Sequence, residues 1–179
     1  MCEILSKKHN LITPNHVVIL QPENKFNLTP ENFNIRVYGI LLRDGAVLVS
    51  DELVGGSAMT KFPGGGLEFG EGIEECLLRE FDEELDIEIK IDNIYYVNDF
   101  YQASAFNPKE QLISIYYIVS QVGKKTIPIA KKPFAFPPQI KQCFRWMEIS
   151  KLRQLDFTYP IDQKIAQMLK NEEHINNVG

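Results

Sequence analysis

The chain has 179 residues, of which 44% are hydrophobic, 24% charged and 11% aromatic. That suffices for one domain with a sizeable core and excludes a disordered or collagen-like polymer. The formal net charge of -5, from 19 basic and 24 acidic residues, speaks against a general affinity for nucleic acid. The longest apolar runs, Val17–Leu20 and Ile115–Val119, fall far short of the ~20 residues a membrane span needs.

The opening segment carries no long apolar stretch before a cleavage site, so no secretory signal is expected. Cys2, Cys76 and Cys143 are an odd number without metal-ligand spacing and fit a reducing, cytoplasmic compartment. His9, His16 and His174 are too scattered to form a zinc site. Asn27-Leu28-Thr29 matches a glycosylation acceptor, which without a secretory route is accidental.

Residues 1–16 read as a loose polar extension, followed by a short strand at Val17–Leu20 and a helical turn at Thr29-Pro30-Glu31-Asn32. Ile35–Leu42 and Ala46–Ser50 form a hairpin through Asp44-Gly45, a pair suited to positive φ. Asp51–Thr60, with Gly55-Gly56-Ser57, reads as a flexible loop. After Phe62-Pro63-Gly64-Gly65-Gly66 a helix is expected from Ile73 to Leu85. Ile87, Ile89 and Ile91 alternate with charged residues as a half-buried strand. Tyr95–Tyr101 and Gln111–Gln121 are further strands. Gly123–Gln142, with four prolines, is irregular. Phe144–Met147 is a short strand, and Pro160–Lys170 is a closing helix with Ile161, Ile165, Met168 and Leu169 on one face. The order predicts an α/β (α+β) layered fold around a mixed sheet.

The helix is the informative element. With Ile73 at zero on a helical wheel, Ile73, Leu77, Phe81, Leu85 and Leu78 cover an arc from about 0° to 140° that should face the core. Glu80 and Glu84 fall at the edge of that stripe, near 340° and 20°, with Glu83 near 280°. Like charges one turn apart repel, and partial burial raises the cost, so a cation should compensate. Oxygen ligands favour a hard divalent ion, Mg²⁺ or Mn²⁺, which also binds substrate phosphates. Glu75, Asp82 and Asp86 read as solvated. Arg79 can hold Glu83 by a charge-assisted bond. Upstream, Gly64-Gly65-Gly66 permits close backbone approach and can present N–H groups to a phosphate. Glu71 could brace this loop or bind a second metal through water. Cys76 reads as packed.

These residues resemble the Nudix box, Gly-x5-Glu-x7-Arg-Glu-U-x-Glu-Glu-x-Gly-U, where U is bulky and apolar. Gly65, Glu71, Arg79-Glu80-Phe81, Glu83-Glu84 and Ile87 fall at its spacing, and Asp86 stands where the pattern has glycine. The resemblance implies an α/β/α sandwich around a mixed β-sheet over residues 34–170, with 1–33 an N-terminal extension and 171–179 a C-terminal tail. It implies hydrolysis of the diphosphate linkage in a nucleoside diphosphate derivative: a nucleotide sugar, an ADP-ribose-like compound or a modified nucleoside triphosphate. Glu80, Glu83, Glu84 and the Gly64 carbonyl are the implied metal ligands, Arg79 orients the carboxylates and Glu71 has a structural or secondary role. Asp tolerates the left-handed conformation that the missing glycine would adopt, so the site should survive at a modest cost in stability.

Many members of the family add an acid in a loop before a late tryptophan. Between Gly123 and Met147 there is no Asp or Glu, so the general base is left among Glu83, Glu80 and Glu110. The same stretch carries Lys124, Lys125, Lys131, Lys132, Lys141 and Arg145. Its lysines could offset phosphate charge while Phe134 or Phe136 stacks on a base. The alternative is a solvated loop whose aromatics cover the sheet edge. Phe100, Tyr101, Arg36 and Tyr38 are further substrate contacts to consider.

The partner expected is thus a small nucleoside diphosphate-type substrate, with no nucleic acid and no membrane. A homodimer exchanging the N-terminal segment is compatible. The alternative function is a non-hydrolysing nucleotide sensor on the same fold. It is disfavoured because such modules usually lose box carboxylates, all of which stand here.

Overall fold

Asp44 and Gly45 have φ of 48° and 71°, the positive pair that turns a two-residue hairpin. They join β1 (Asn32–Arg43) to β2 (Ala46–Val54). Gly55 and Gly56, at φ 59° and 84°, turn the chain again into β3 (Ser57–Lys61). The flexible loop expected over Asp51–Thr60 is therefore the end of β2, a glycine turn and most of β3. Asp51 and Thr60 are buried and hydrogen-bonded to each other at 2.6 Å, polar residues that composition alone reads as loop. The computed structural model describes residues 29–178, with side chains as far as 172. The extension 1–16, the strand expected at Val17–Leu20, Cys2 and Asn27 lie outside the described residues, as do His9, His16 and the His174 side chain.

No helical turn forms at Thr29–Asn32: the N–H groups of Glu31 and Asn32 both donate to the Lys109 carbonyl, at 2.8 and 3.2 Å, drawing the segment into β1. A short β4 (Gly64–Gly66) precedes α1 (Ile73–Leu85). Then come β5 (Ile89–Val97), β6 (Glu110–Gln121), β7 (Gln142–Glu148) and α2 (Pro160–Val178). Two expected strands fuse into β5, which is irregular between Ile91 and Asn93 and between Ile94 and Tyr96. It stops at Val97 because the Asn98 side chain accepts the Ser114 N–H at 2.7 Å, a bond a continuing strand would make with its backbone. The helix α2 runs beyond Lys170.

The sheet order is β3-β2-β1-β6-β5, with β4 on β1 and β7 on β2. β1 and β6 run parallel from Asn32↔Glu110 to Leu41↔Val119, and the other pairs are antiparallel. Side chains alternate across β1. Val37 and Leu41 join a core with Leu48, Leu77, Phe81 and Leu85 of α1, while Tyr38 and Ile40 join a core with Phe62, Phe157, Ile161 and Ile165 of α2. One helix covers each face, making the α/β/α sandwich around a mixed sheet.

Candidate active site

The buried residues of α1 are Cys76, Leu77, Phe81 and Leu85, whereas Ile73 and Leu78 are 37% and 43% exposed. The buried arc thus runs from about 300° to 120° on the wheel, turned from the expected one. Ile73 begins the helix, beyond the reach of the sheet, and Cys76 takes its place. Glu80 and Glu84 consequently lie within the buried face, their side chains 14% and 19% exposed, while Glu83 is 59% exposed.

Arg79 holds this cluster together. Its Nε and Nη2 donate to the two Glu71 oxygens at 3.0 and 2.8 Å, and Nη2 also reaches the Gly66 carbonyl at 3.2 Å. Its Nη1 donates to Glu80 Oε1 at 3.0 Å and to Glu83 Oε2 at 3.1 Å. The Arg79 hydrogen bonds and that from the Glu68 N–H lower the Glu71 carboxyl to about 2, and the bonds to Glu71 raise Arg79 further above its ordinary value. Glu71 is thereby the brace between loop and helix; both its oxygens are taken. Cys76 is packed as expected, its thiol pushed up to about 12 chiefly by burial.

The glycines admit the helix. A Cβ on Gly65 would sit 2.1 Å from Glu80 Oε1, and one on Gly64, at φ 128°, would sit 2.2 Å from the Val37 carbonyl oxygen. β4 can therefore lie between β1 and α1 only without side chains there.

Lys61 and Glu52 went unnoticed in the sequence because both fall in or beside the stretch read as a loop. Lys61, 5% exposed, donates from Nζ to the Gly64 carbonyl at 2.7 Å. It also lies 2.8 Å from Glu52 Oε1 and 3.9 Å from Glu84 Oε1. Burial works against its charge, yet Glu84 and Glu52 hold the ammonium above its ordinary value. Burial likewise raises the Glu84 carboxyl, with Lys61 opposing. Glu84 Oε2 is buried without a hydrogen-bond partner.

A cavity of about 230 Å³ opens beside Lys61, lined also by Asn34, Arg36, Tyr38, Glu52, Gln102, Ser104, Phe106, Tyr116, Tyr159 and Asp162 among others. Arg36 donates to the Tyr38 hydroxyl at 2.7 Å. Gln102 Oε1 is a buried acceptor without a partner. Burial raises the Asp162 carboxyl to about 7, against the opposing Tyr116 hydrogen bond of 2.8 Å. Phe106, 65% exposed, is one of three aromatics at this cavity, with Tyr116 and Tyr159, that sequence reasoning missed; it lies in a turn where no periodicity marks it.

The proposed substrate loop goes elsewhere. Phe134 lines a second hollow with Thr60, Pro133, Arg145 and Phe157, which shares no residue with the first. Its N–H donates to Asp51 Oδ2 at 3.1 Å, and Asp51 is gripped by Arg145 at 2.7 and 3.1 Å. Asp51 and Glu52 are neighbours on β2, so they point to opposite faces. Phe136 stays with Phe134, ring centroids 6.1 Å apart. Tyr101, 49% exposed, and the side of Gly65 and Gly66 line neither space. Lys125 pairs with Asp86. Glu110 accepts from Asn34 and Asn107, each at 2.8 Å, and these bonds lower its pKa; both oxygens are committed to the start of β6.

A divalent ion fits the donor chemistry. Glu52, Glu71, Glu80, Glu83 and Glu84 outnumber Lys61, Arg79 and Arg36, every donor is a hard oxygen, and Glu84 Oε2 has an unmet bond. With Arg79 drawing Glu80 and Glu83 toward itself, no three His, Cys, Asp or Glu side chains among the described residues meet at one metal position.

A family model described as NUDIX domain matches residues 33–169. The fold resembles a Nudix hydrolase from Nitrosomonas europaea (TM-score 0.59, 18% identity, 78% of this chain and 89% of that one). It also resembles a MutT Nudix hydrolase from Burkholderia pseudomallei (0.57, 18%, 75% and 96%). A third similar structure is an ADP-ribose pyrophosphatase from Streptococcus suis (0.51, 12%, 76% and 86%). No curated protein sequence matches. Among the described residues no helix is long and apolar enough to cross a membrane.

Proposed function

Since the chain belongs to the Nudix family, whose model covers residues 33–169, we propose that it is a Mg²⁺-dependent pyrophosphohydrolase of nucleoside diphosphate derivatives. The observation that carries this reading is the excess of carboxylates about α1 and β2, with an unpartnered Glu84 oxygen on a side chain that lies 3.9 Å from Lys61, which lines a cavity together with Arg36.

Water adds to one phosphorus of the diphosphate, the bond from that phosphorus to the bridging oxygen breaks, and two products leave, a nucleotide and a second phosphate compound, with the water's protons shared between them and a base. Glu80, Glu83 and Glu84 would hold Mg²⁺, or Mn²⁺. When bound, the ion supplies Lewis acidity and a more acidic water. Arg79 fixes the carboxylates in place, since positioning and charge stabilisation are the protein's share of such chemistry. Glu83 is the base best placed to exchange protons with solvent, being the exposed member. Arg36 and Lys61 offset charge on the diphosphate, and the cavity receives the group beyond it.

About 230 Å³ is below the ~300–1,000 Å³ of sites for larger ligands, so the cavity takes one ring-sized group. Phe106 offers a stacking face and Gln102 Oε1 an acceptor for an amino group. ADP-ribose-like compounds, nucleotide sugars and modified nucleoside triphosphates are the classes to test.

The experiment is a panel of these compounds assayed with Mg²⁺ for wild type and Glu84→Gln. The variant should lose on the order of 100-fold in kcat. Equal activity in both removes Glu84 from the reaction. Tight nucleotide binding with no hydrolysis by wild type replaces the enzyme reading with a sensor.

A further inference from the structure

Lys61 stands where the family resemblance would place a metal. The Gly64 carbonyl and Glu84 were both implied ligands, yet the carbonyl accepts the Lys61 ammonium at 2.7 Å and Glu84 Oε1 lies 3.9 Å from it. The ammonium is also bound to Glu52 at 2.8 Å; Lys61 lies opposite Ser50 in the β2–β3 ladder, which makes Glu52 its diagonal neighbour on the same face. A buried charge of this kind persists only when its neighbours supply opposite charge and hydrogen bonds, and here one carbonyl and two carboxylates do so. The Tyr38 ring, 5.7 Å from Nζ, adds a cation–π contact.

We propose that Lys61 is a built-in cation that takes the position between the Gly64 carbonyl and Glu84, leaving only the Glu80, Glu83 and unpartnered Glu84 Oε2 oxygens for divalent ions. The inference rests on the metal-site reading above. Lys61 has two consequences as a positioning residue. It holds Glu84 Oε1 beside its ammonium and leaves the buried Oε2 without a protein partner. Because Nζ also lines the cavity, it presents a fixed positive charge to the diphosphate without depending on metal concentration. The site then needs fewer ions than its oxygen count suggests.

The test counts bound Mn²⁺ by electron paramagnetic resonance in substrate-free protein, wild type against Lys61→Met. Removing the ammonium leaves Glu52, Glu84 and the Gly64 carbonyl facing one another, so the variant should bind one Mn²⁺ more per chain. Mn²⁺ should also raise its Tm more than that of wild type. The same count in both proteins overturns the proposal while leaving the hydrolase reading intact. No Mn²⁺ in either overturns the proposal and the metal site together, and the substrate panel then decides whether hydrolysis survives. Should Lys61→Met not fold, Lys61→Ala, which leaves room for water beside the same carboxylates, carries the same comparison.

Discussion

At Gly65 a single methyl group would fall 2.1 Å from a Glu80 carboxylate oxygen. The clash is with the far end of a flexible side chain, so the fold can yield there while the site cannot. Gly65→Ala should leave Tm within a few degrees of wild type and lower kcat on the order of tenfold or more, because Glu80 must swing away from Arg79. Circular dichroism melts beside steady-state kinetics check this; unchanged kcat would detach Glu80 from the chemistry. The box residues were legible in the sequence because their spacing is local: a helix puts Glu80, Glu83 and Glu84 on adjoining positions whatever surrounds them. Lys61, Glu52, Gln102 and Phe106 were not, because only strand pairing and chain reversal bring them to the same place. The surroundings of Phe134 were hidden for the same reason. Its neighbours invited a substrate role, but the buried Asp51, 83 residues away in sequence, fixes its backbone on another surface.

Among the elements, α1 ends where its sequence departs from the box. Asp86 adopts φ 53° and ψ 42°, a left-handed cap held by its N–H to the Asp82 carbonyl at 2.8 Å. A non-glycine residue there costs roughly 1–2 kcal/mol, and a negative charge opposes the dipole at a helix C-terminus. The ion pair with Lys125 is exposed on both sides, so it offsets little. Asp86→Gly should therefore raise stability by about 1 kcal/mol with kcat unchanged, measured by urea denaturation. A loss of stability would mean that the Lys125 contact outweighs the backbone. The bounds of α1 were readable because an amphipathic period and a cap agree. The β2–β3 hairpin was hidden by its charged residues, which are paired inside the molecule rather than solvated: Glu52 with Lys61 and Asp51 with Arg145 of β7.

For the whole molecule, the α2 face carries a charge that folding must accommodate. Asp162, 1% exposed, has a carboxyl raised to about 7 by burial, against an ordinary 3.8. Between about pH 4 and 7 the native chain keeps a proton there that the unfolded chain has lost. The stabilising contribution is complete below about pH 4 and disappears as pH rises through 7. Asp162→Asn removes this dependence. Relative to wild type, the variant should gain about 3 kcal/mol between pH 5 and pH 8, read from denaturation curves at both values. Parallel pH profiles would show that Asp162 does not titrate in this window.

The pairing of β1 with β6 joins Asn34 to Glu110 across 76 positions of sequence, and every box residue lies inside that span. Such distant strand pairing is slow to form because a long loop must close before any contact rewards it. During synthesis the glutamates leave the ribosome well before the strand that completes their scaffold. Hydrolytic competence should therefore arrive late, after β6 has emerged, and a nascent chain halted before Glu110 should expose the apolar face of α1 to chaperones instead of presenting a working centre.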